Sequence, residues 1–131
     1  MTPAAINLHQ RRVLIVDDSG DTTELLTYVL ERCGAIVAAA TATREALNIL
    51  QSWVPDIIVS DFAMPDDGTS IAARAKELEI PAIAITGRAS PEEQRGIIAC
   101  GFEVCVTKPF DPDELCRIIA TRLKRPPAAI S

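Results

Sequence analysis

Five short apolar runs punctuate the chain, at residues 13–16 (VLIV), 35–39 (AIVAA), 56–60 (DIIVS), 81–85 (PAIAI) and 103–107 (EVCVT). They are continuous rather than alternating, the pattern of strands covered on both faces, as in a parallel sheet. Stretches of helical length separate them. In the first, Leu25, Leu26, Val29, Leu30 and Cys33 form an apolar stripe at helical spacing, and Gly34 follows where a left-handed residue would end the helix. Ala46, Leu47 and Leu50 mark a second helix, which must stop before Pro55. The third carries the weakest stripe, Ile71, Ala75 and Leu78. Ser90-Pro-Glu-Glu93 and Asp111-Pro-Asp-Glu114 read as capping boxes with proline at the first helical position, and Gly101 ends the earlier of these two helices. Five βα units with right-handed crossovers predict an α/β fold, a single doubly wound parallel sheet.

Composition narrows the class. At 131 residues there is room for one domain, and at 48% hydrophobic and 24% charged the chain is globular. Only 4% of residues are aromatic, so the core must be built from Ile, Val, Leu and Ala. A net charge of −5 argues against nucleic acid as a direct partner. No apolar run approaches the roughly 18 residues that a membrane helix requires, and residues 1–12 lack a signal-peptide core. Cys33, Cys100, Cys105 and Cys116 form no CxxC pair, and the single histidine, His9, lies far from them in the chain. Each cysteine sits in an apolar stretch, so buried free thiols and a reduced, cytoplasmic setting are expected.

Chemistry gathers where an open α/β sheet places its ligands, beyond the carboxyl ends of the strands. The first strand runs into Asp17-Asp-Ser-Gly-Asp21, a turn with three carboxylates where a nucleotide binder would place glycines. Carboxylates repel phosphate unless a cation intervenes, so this turn binds a metal before it binds an anion. The third strand ends in Ser60-Asp61, the fourth in Thr86-Gly87 and the fifth in Thr107-Lys108-Pro109, whereas the second ends in alanines and offers nothing. Crowded acids with few, all-oxygen ligands suit Mg²⁺ better than Ca²⁺. Lys108 supplies a compact positive charge and Thr86 a hydroxyl, both able to engage phosphoryl oxygens.

On these residues the chain resembles a receiver domain of the bacterial two-component response regulators. Asp17-Asp18 matches the acidic pair, Asp61 the phosphoacceptor, Thr86 the hydroxyl switch residue and Lys108-Pro109-Phe110 the Lys-Pro-Phe motif, with Met64-Pro65 in place three residues beyond Asp61. The resemblance covers residues 11–124, leaving an N-terminal extension, 1–10, and a tail or linker remnant, 125–131. It implies a flavodoxin-like (βα)5 domain with sheet order 2-1-3-4-5. It also implies that Asp61 takes a phosphoryl group from the phosphohistidine of a sensor kinase or phosphotransfer protein. Mg²⁺ would be held by Asp18, Asp61 and the backbone carbonyl of Ala63, with Asp17 acting largely through water. The domain would catalyse its own phosphorylation rather than turn over a substrate. A cis Lys108-Pro109 peptide, a downstream protein target, and homodimerisation through the fourth helix, fifth strand and fifth helix are further implications. That face offers Glu92, Glu93, Arg95, Arg117 and Arg122, mixed in sign. No output domain is expected after residue 124, which would leave three settings: a stand-alone regulator, a relay intermediate, or a module of a hybrid kinase.

The chain departs from the family at several points. Cys105 stands where an aromatic residue usually completes the switch. Ala63 and Arg88, two beyond Asp61 and Thr86, are the positions that tune phosphoryl lifetime, and Ala63 has no group to orient water, so slow hydrolysis is expected. The segment 64–68 is one residue shorter than usual, and Asp66 and Asp67 read as caps of the third helix. Gly87 replaces a common alanine. A rival reading is a receiver-like interaction module that works without phosphorylation. A metal-dependent phosphatase would need a second acid where Ala63 sits.

Overall fold

The computed structural model describes residues 6–63, 68–87 and 90–123. Strands β1 (Arg12–Val16), β2 (Ile36–Ala40), β3 (Ile57–Asp61), β4 (Ala82–Thr86) and β5 (Val104–Thr107) alternate with helices α1 (Gly20–Arg32), α2 (Thr43–Leu50), α3 (Thr69–Glu77), α4 (Pro91–Ala99) and α5 (Pro112–Arg122). All pairings are parallel and the sheet order is β2-β1-β3-β4-β5, the flavodoxin-like arrangement expected from the sequence. The chain moves outward from β1 to β2 and then returns past it to β3. The order therefore reverses between β1 and β3, and the crevice there is the natural ligand position.

Alternation along the strands sends side chains to two separate cores. Leu14, Val16, Ile58, Ala82 and Ala84 meet α2, α3 and α4 on one face. Val13, Ile15, Ile57, Val59, Ile83 and Ile85 meet α1 and α5 on the other. Strands β3 and β4 are buried along their whole length, as continuous apolar runs require, but β2 and β5 are only partly covered because each has a neighbour on one side alone. The outer edge of β2 is unpaired among the described residues, and Ile36 is exposed on it.

The helix stripes need adjustment. In α1, Leu26 and Leu30 are buried but Leu25 is 52% exposed, and Thr23 takes the inward position one turn before Leu26. Adjacent residues differ by about 100° around a helix, so Leu25 and Leu26 cannot both face a flat sheet. In α3 the buried side chains are Ile71, Ala72 and Ala75, with Leu78 at the cluster's margin. Ser90 caps α4 by accepting from the Glu93 N–H, and its hydroxyl donates to the Glu93 carboxylate at 2.7 Å. Asp111 caps α5 through the Asp113 N–H rather than through a reciprocal box with Glu114. Gly68 is the N-cap of α3 and makes no side-chain cap bond; Asp66 and Asp67, read as its caps, lie outside the described residues, as do Met64, Pro65 and Arg88.

The start of the chain covers the C-terminal end of α1. Gly34 has φ of +96°, and a Cβ there would stand 3.0 Å from the His9 Cα. That close approach exists because residues 6–10 fold back over the α1–β2 turn: the Leu8 N–H donates to the Cys33 carbonyl and the Gln10 N–H to that of Gly34. Leu8 is fully buried in the α1/α5 core, so part of the segment read as an extension belongs to the packed domain. All four cysteines are free, as expected, but only Cys116 is fully buried, the other three being half-buried near helix ends and the sheet edge.

Candidate functional site

Three strand ends at the carboxyl edge of the sheet deliver the candidate side chains. β1 ends at Val16, so Asp17 and Asp18 open the turn to α1; β3 ends on Asp61 itself; β5 ends at Thr107, and Lys108 follows. Asp17, Asp18 and Asp61 each offer a carboxylate oxygen within 4.8 Å of the others. Asp17 and Asp61 are buried and Asp18 is exposed. Such a group has an inner, desolvated pair and an outer member open to water.

The two buried carboxylates are fixed by different neighbours. The Ser19 N–H donates to Asp17 Oδ1 at 2.8 Å, and the Ser19 hydroxyl also caps α1 by accepting from the Thr22 N–H. The Ala63 N–H donates to Asp61 Oδ1 at 2.9 Å, and Lys108 Nζ donates to Asp61 Oδ2 at 3.1 Å. Asp17 Oδ2 is buried with no hydrogen-bond partner; the Lys108 ammonium, at 3.9 Å, is close enough to attract it but not to donate to it. Burial therefore pushes the Asp17 carboxyl above the ordinary carboxylate range; the Ser19 N–H opposes this, the Asp61 charge adds to it, and Lys108 opposes it again, with Asp18 the smallest upward contribution.

The donor set fits a hard divalent cation. All ligands are oxygens, the negative charges exceed the one ammonium beside them among the described residues, and a desolvated oxygen is left without a partner. Asp17, Asp18 and Asp61 are the side chains able to hold Mg²⁺.

Of the remaining expected residues, Thr86 is buried at the last position of β4, one step beyond Ile85, which pairs in register with Asp61. It sits on the same rim and pairs with Thr107 across β5. The Lys108-Pro109 peptide is cis, as expected. Cys105 is half-buried, packs at the margin of the α2/α3/α4 core and has its thiol pushed upward by burial. Phe62, directly after Asp61, is packed edge-on against Phe102 with ring centroids 6.0 Å apart. The sequence reading missed Ser19, whose N–H sets the Asp17 rotamer; the signal was a serine in N-cap position before a helix.

A parallel sheet of this order with an acidic crevice and a lysine at its rim defines a class, and the chain belongs to it: residues 13–120 match the response regulator receiver domain family. Among curated relatives, an uncharacterized 14.6 kDa protein from the sodA1 3′ region of Leptolyngbya boryana is 43% identical over 117 residues, spanning 86% of this chain and 89% of that one. The virulence transcriptional regulatory protein PhoP of Salmonella typhimurium is 31% identical over 117 residues, which cover 87% of this chain but only 52% of PhoP. The chain thus spans about half the length of that regulator. Among solved structures, the chemotaxis protein CheY4 of Vibrio cholerae superposes with a TM-score of 0.81 at 29% identity, covering 87% of this chain and 99% of that one. No helix among the described residues is long and apolar enough to cross a membrane.

Proposed function

We propose that Asp61 is a phosphoacceptor and that the domain receives its phosphoryl group from the phosphohistidine of a sensor kinase or phosphotransfer protein in the cytoplasm. The observation that carries this reading is the pairing of an acidic trio with one ammonium at the strand ends: oxygens within 4.8 Å of one another, and Lys108 3.1 Å from Asp61. When bound, Mg²⁺ supplies the positive charge that lets a phosphoryl group approach three carboxylates. Asp17, Asp18, Asp61 and the Ala63 carbonyl would hold it. An Asp61 oxygen attacks phosphorus, the P–N bond breaks, and its electron pair leaves on the imidazole, giving an acyl phosphate on Asp61. Lys108 exchanges its carboxylate partner for a phosphoryl oxygen, and the Ala63 N–H, already on Asp61 Oδ1, keeps the carboxylate oriented. The Thr86 hydroxyl then donates to another phosphoryl oxygen, and partner binding changes through it. Ala63 offers no group to aim an attacking water, which favours slow hydrolysis.

Incubation with acetyl phosphate and Mg²⁺ should add one phosphoryl mass, and Asp61→Asn should abolish the addition. A wild-type chain that stays unmodified while beryllofluoride fails to raise its melting temperature would overturn this function. One observation favours the rival interaction module: Cys105, where a switch aromatic is usual, packs quietly against the core. That module would bind its partner equally well before and after phosphorylation.

A further inference from the structure

The five helices are not held equally. Helices α1, α2, α3 and α5 each bury three side chains, whereas α4 buries Ile97 alone. Its second isoleucine, Ile98, is 45% exposed. The sheet gives α4 little to grip: on that face β4 carries Ala82 and Ala84, and the β5 residue in register with Ala84 is the half-buried Cys105. Gly96 stands in the interior of the helix, and a Cβ there would meet nothing within 4 Å. Packing does not require a glycine at this position, so its effect is to weaken the helix by adding to the freedom gained on unwinding. Both ends are better fixed. Ser90 and Glu93 close the first turn reciprocally, and beyond the last turn Phe102 is 2% exposed and stacked edge-on with Phe62. We propose that α4 is a detachable element: it opens and recloses while the rest of the domain stays folded, and Gly96 sets how often.

The free energy needed to open a segment follows the apolar contacts it gives up. Strand β3 is buried along its whole length and paired on both sides, so it opens only when the domain unfolds. Helix α4 gives up one buried isoleucine, and its backbone bonds return to water. Because the turn at Ser90 and the anchor at Phe102 stay in place, the opened stretch is short and closes again without searching for its position.

Opening bares the surface of β4 and β5 around Ala84 and Cys105, which the closed helix covers. A partner that binds this surface selects the open form, and its apparent affinity is reduced by the fraction of time that α4 spends open. A residue that firms the helix therefore weakens such a partner without touching it. This inference is independent of phosphoryl transfer and holds equally for an Asp61→Asn chain.

The test is amide hydrogen exchange of the full chain at neutral pH, read by mass spectrometry with neither Mg²⁺ nor a phosphodonor present. Corrected for intrinsic rates, the amides of residues 95–100 should exchange about 100-fold or more faster than those of β3. Gly96→Ala should slow the α4 amides about fivefold, the ordinary difference between glycine and alanine inside a helix. Leu8→Ala, in the opposite core, lowers the stability of the whole domain; it should speed the β3 amides more than about tenfold and leave the α4 amides unchanged. Three results would each overturn the proposal: α4 amides as slow as those of β3, α4 amides that accelerate with Leu8→Ala, or α4 exchange unaltered by Gly96→Ala.

Discussion

Replacing Asp17 with asparagine should make the metal-free protein more stable, and the structure sets the size of the gain. The Asp17 and Asp61 carboxylates approach within 4.8 Å. At an effective dielectric of about 20, two like charges at that separation repel by about 3.5 kcal/mol. Against this stands the Lys108 ammonium at 3.9 Å, but its side chain is 38% exposed and screened by water, which cuts its attraction to about 2 kcal/mol. Asp18 adds a smaller repulsion, since it is exposed. Asparagine keeps the oxygen that accepts from the Ser19 N–H and turns its NH₂ towards the other carboxylates. A net gain of about 1–2 kcal/mol follows, or roughly 4–8 °C in melting temperature for a domain of this size. Circular dichroism melts in EDTA at neutral pH measure it. Millimolar Mg²⁺ should reverse the ranking, stabilising the wild type more than Asp17→Asn. The folded chain binds the Asp17 proton more tightly than the unfolded chain does, so acidification favours the wild-type fold. The advantage of the variant is therefore full above the raised Asp17 pKa and vanishes below the ordinary carboxylate value. A variant that melts lower than the wild type in EDTA at neutral pH would show that this charge is not a burden on the fold.

Lys108→Met keeps the aliphatic stem but removes the partner 3.1 Å from Asp61; without metal it should cost about 1–2 kcal/mol in urea titrations, and an unchanged midpoint would refute the pairing. Leu8→Ala empties a fully buried position outside the family match, and chemical denaturation should show a loss of about 2–4 kcal/mol; a loss under about 0.5 kcal/mol would mean residues 6–10 are not part of the folded unit. Gly34→Ala forces a side chain onto a backbone with φ of +96° and against the His9 Cα, so a thermal melt should drop by an amount matching about 2 kcal/mol, and a neutral result would contradict that close approach.

Much of this architecture was legible because the signals were redundant. Strand ends, glycines after helices and proline-led caps all agree on the same five units, and the order β2-β1-β3-β4-β5 follows once the family resemblance is seen. What escaped were features set by tertiary geometry. Leu25 looked like core because periodicity fixes a stripe but not its width, and a flat sheet accepts only Leu26 and Leu30. Leu8 was invisible because an isolated apolar residue in a polar segment has no period. At the site, residue types at four strand ends were readable from order alone, whereas the orphaned oxygen of Asp17 and the grip of Ser19 on its partner oxygen depend on rotamers.

The outer edge of β2, unpaired among the described residues, has a consequence for handling the molecule. Its five residues, IVAAA, include no charge, proline or bulge, the usual guards against strand-to-strand association. An extended segment from another chain would find a complete row of backbone groups to bond. It would find little else, since three of the five side chains are alanine and add almost no apolar area. Association through this edge should therefore be weak, reversible and steeply dependent on concentration, and an Ile36→Lys chain, altered at the exposed position of the strand, should remain monomeric at protein levels where the parent begins to scatter light.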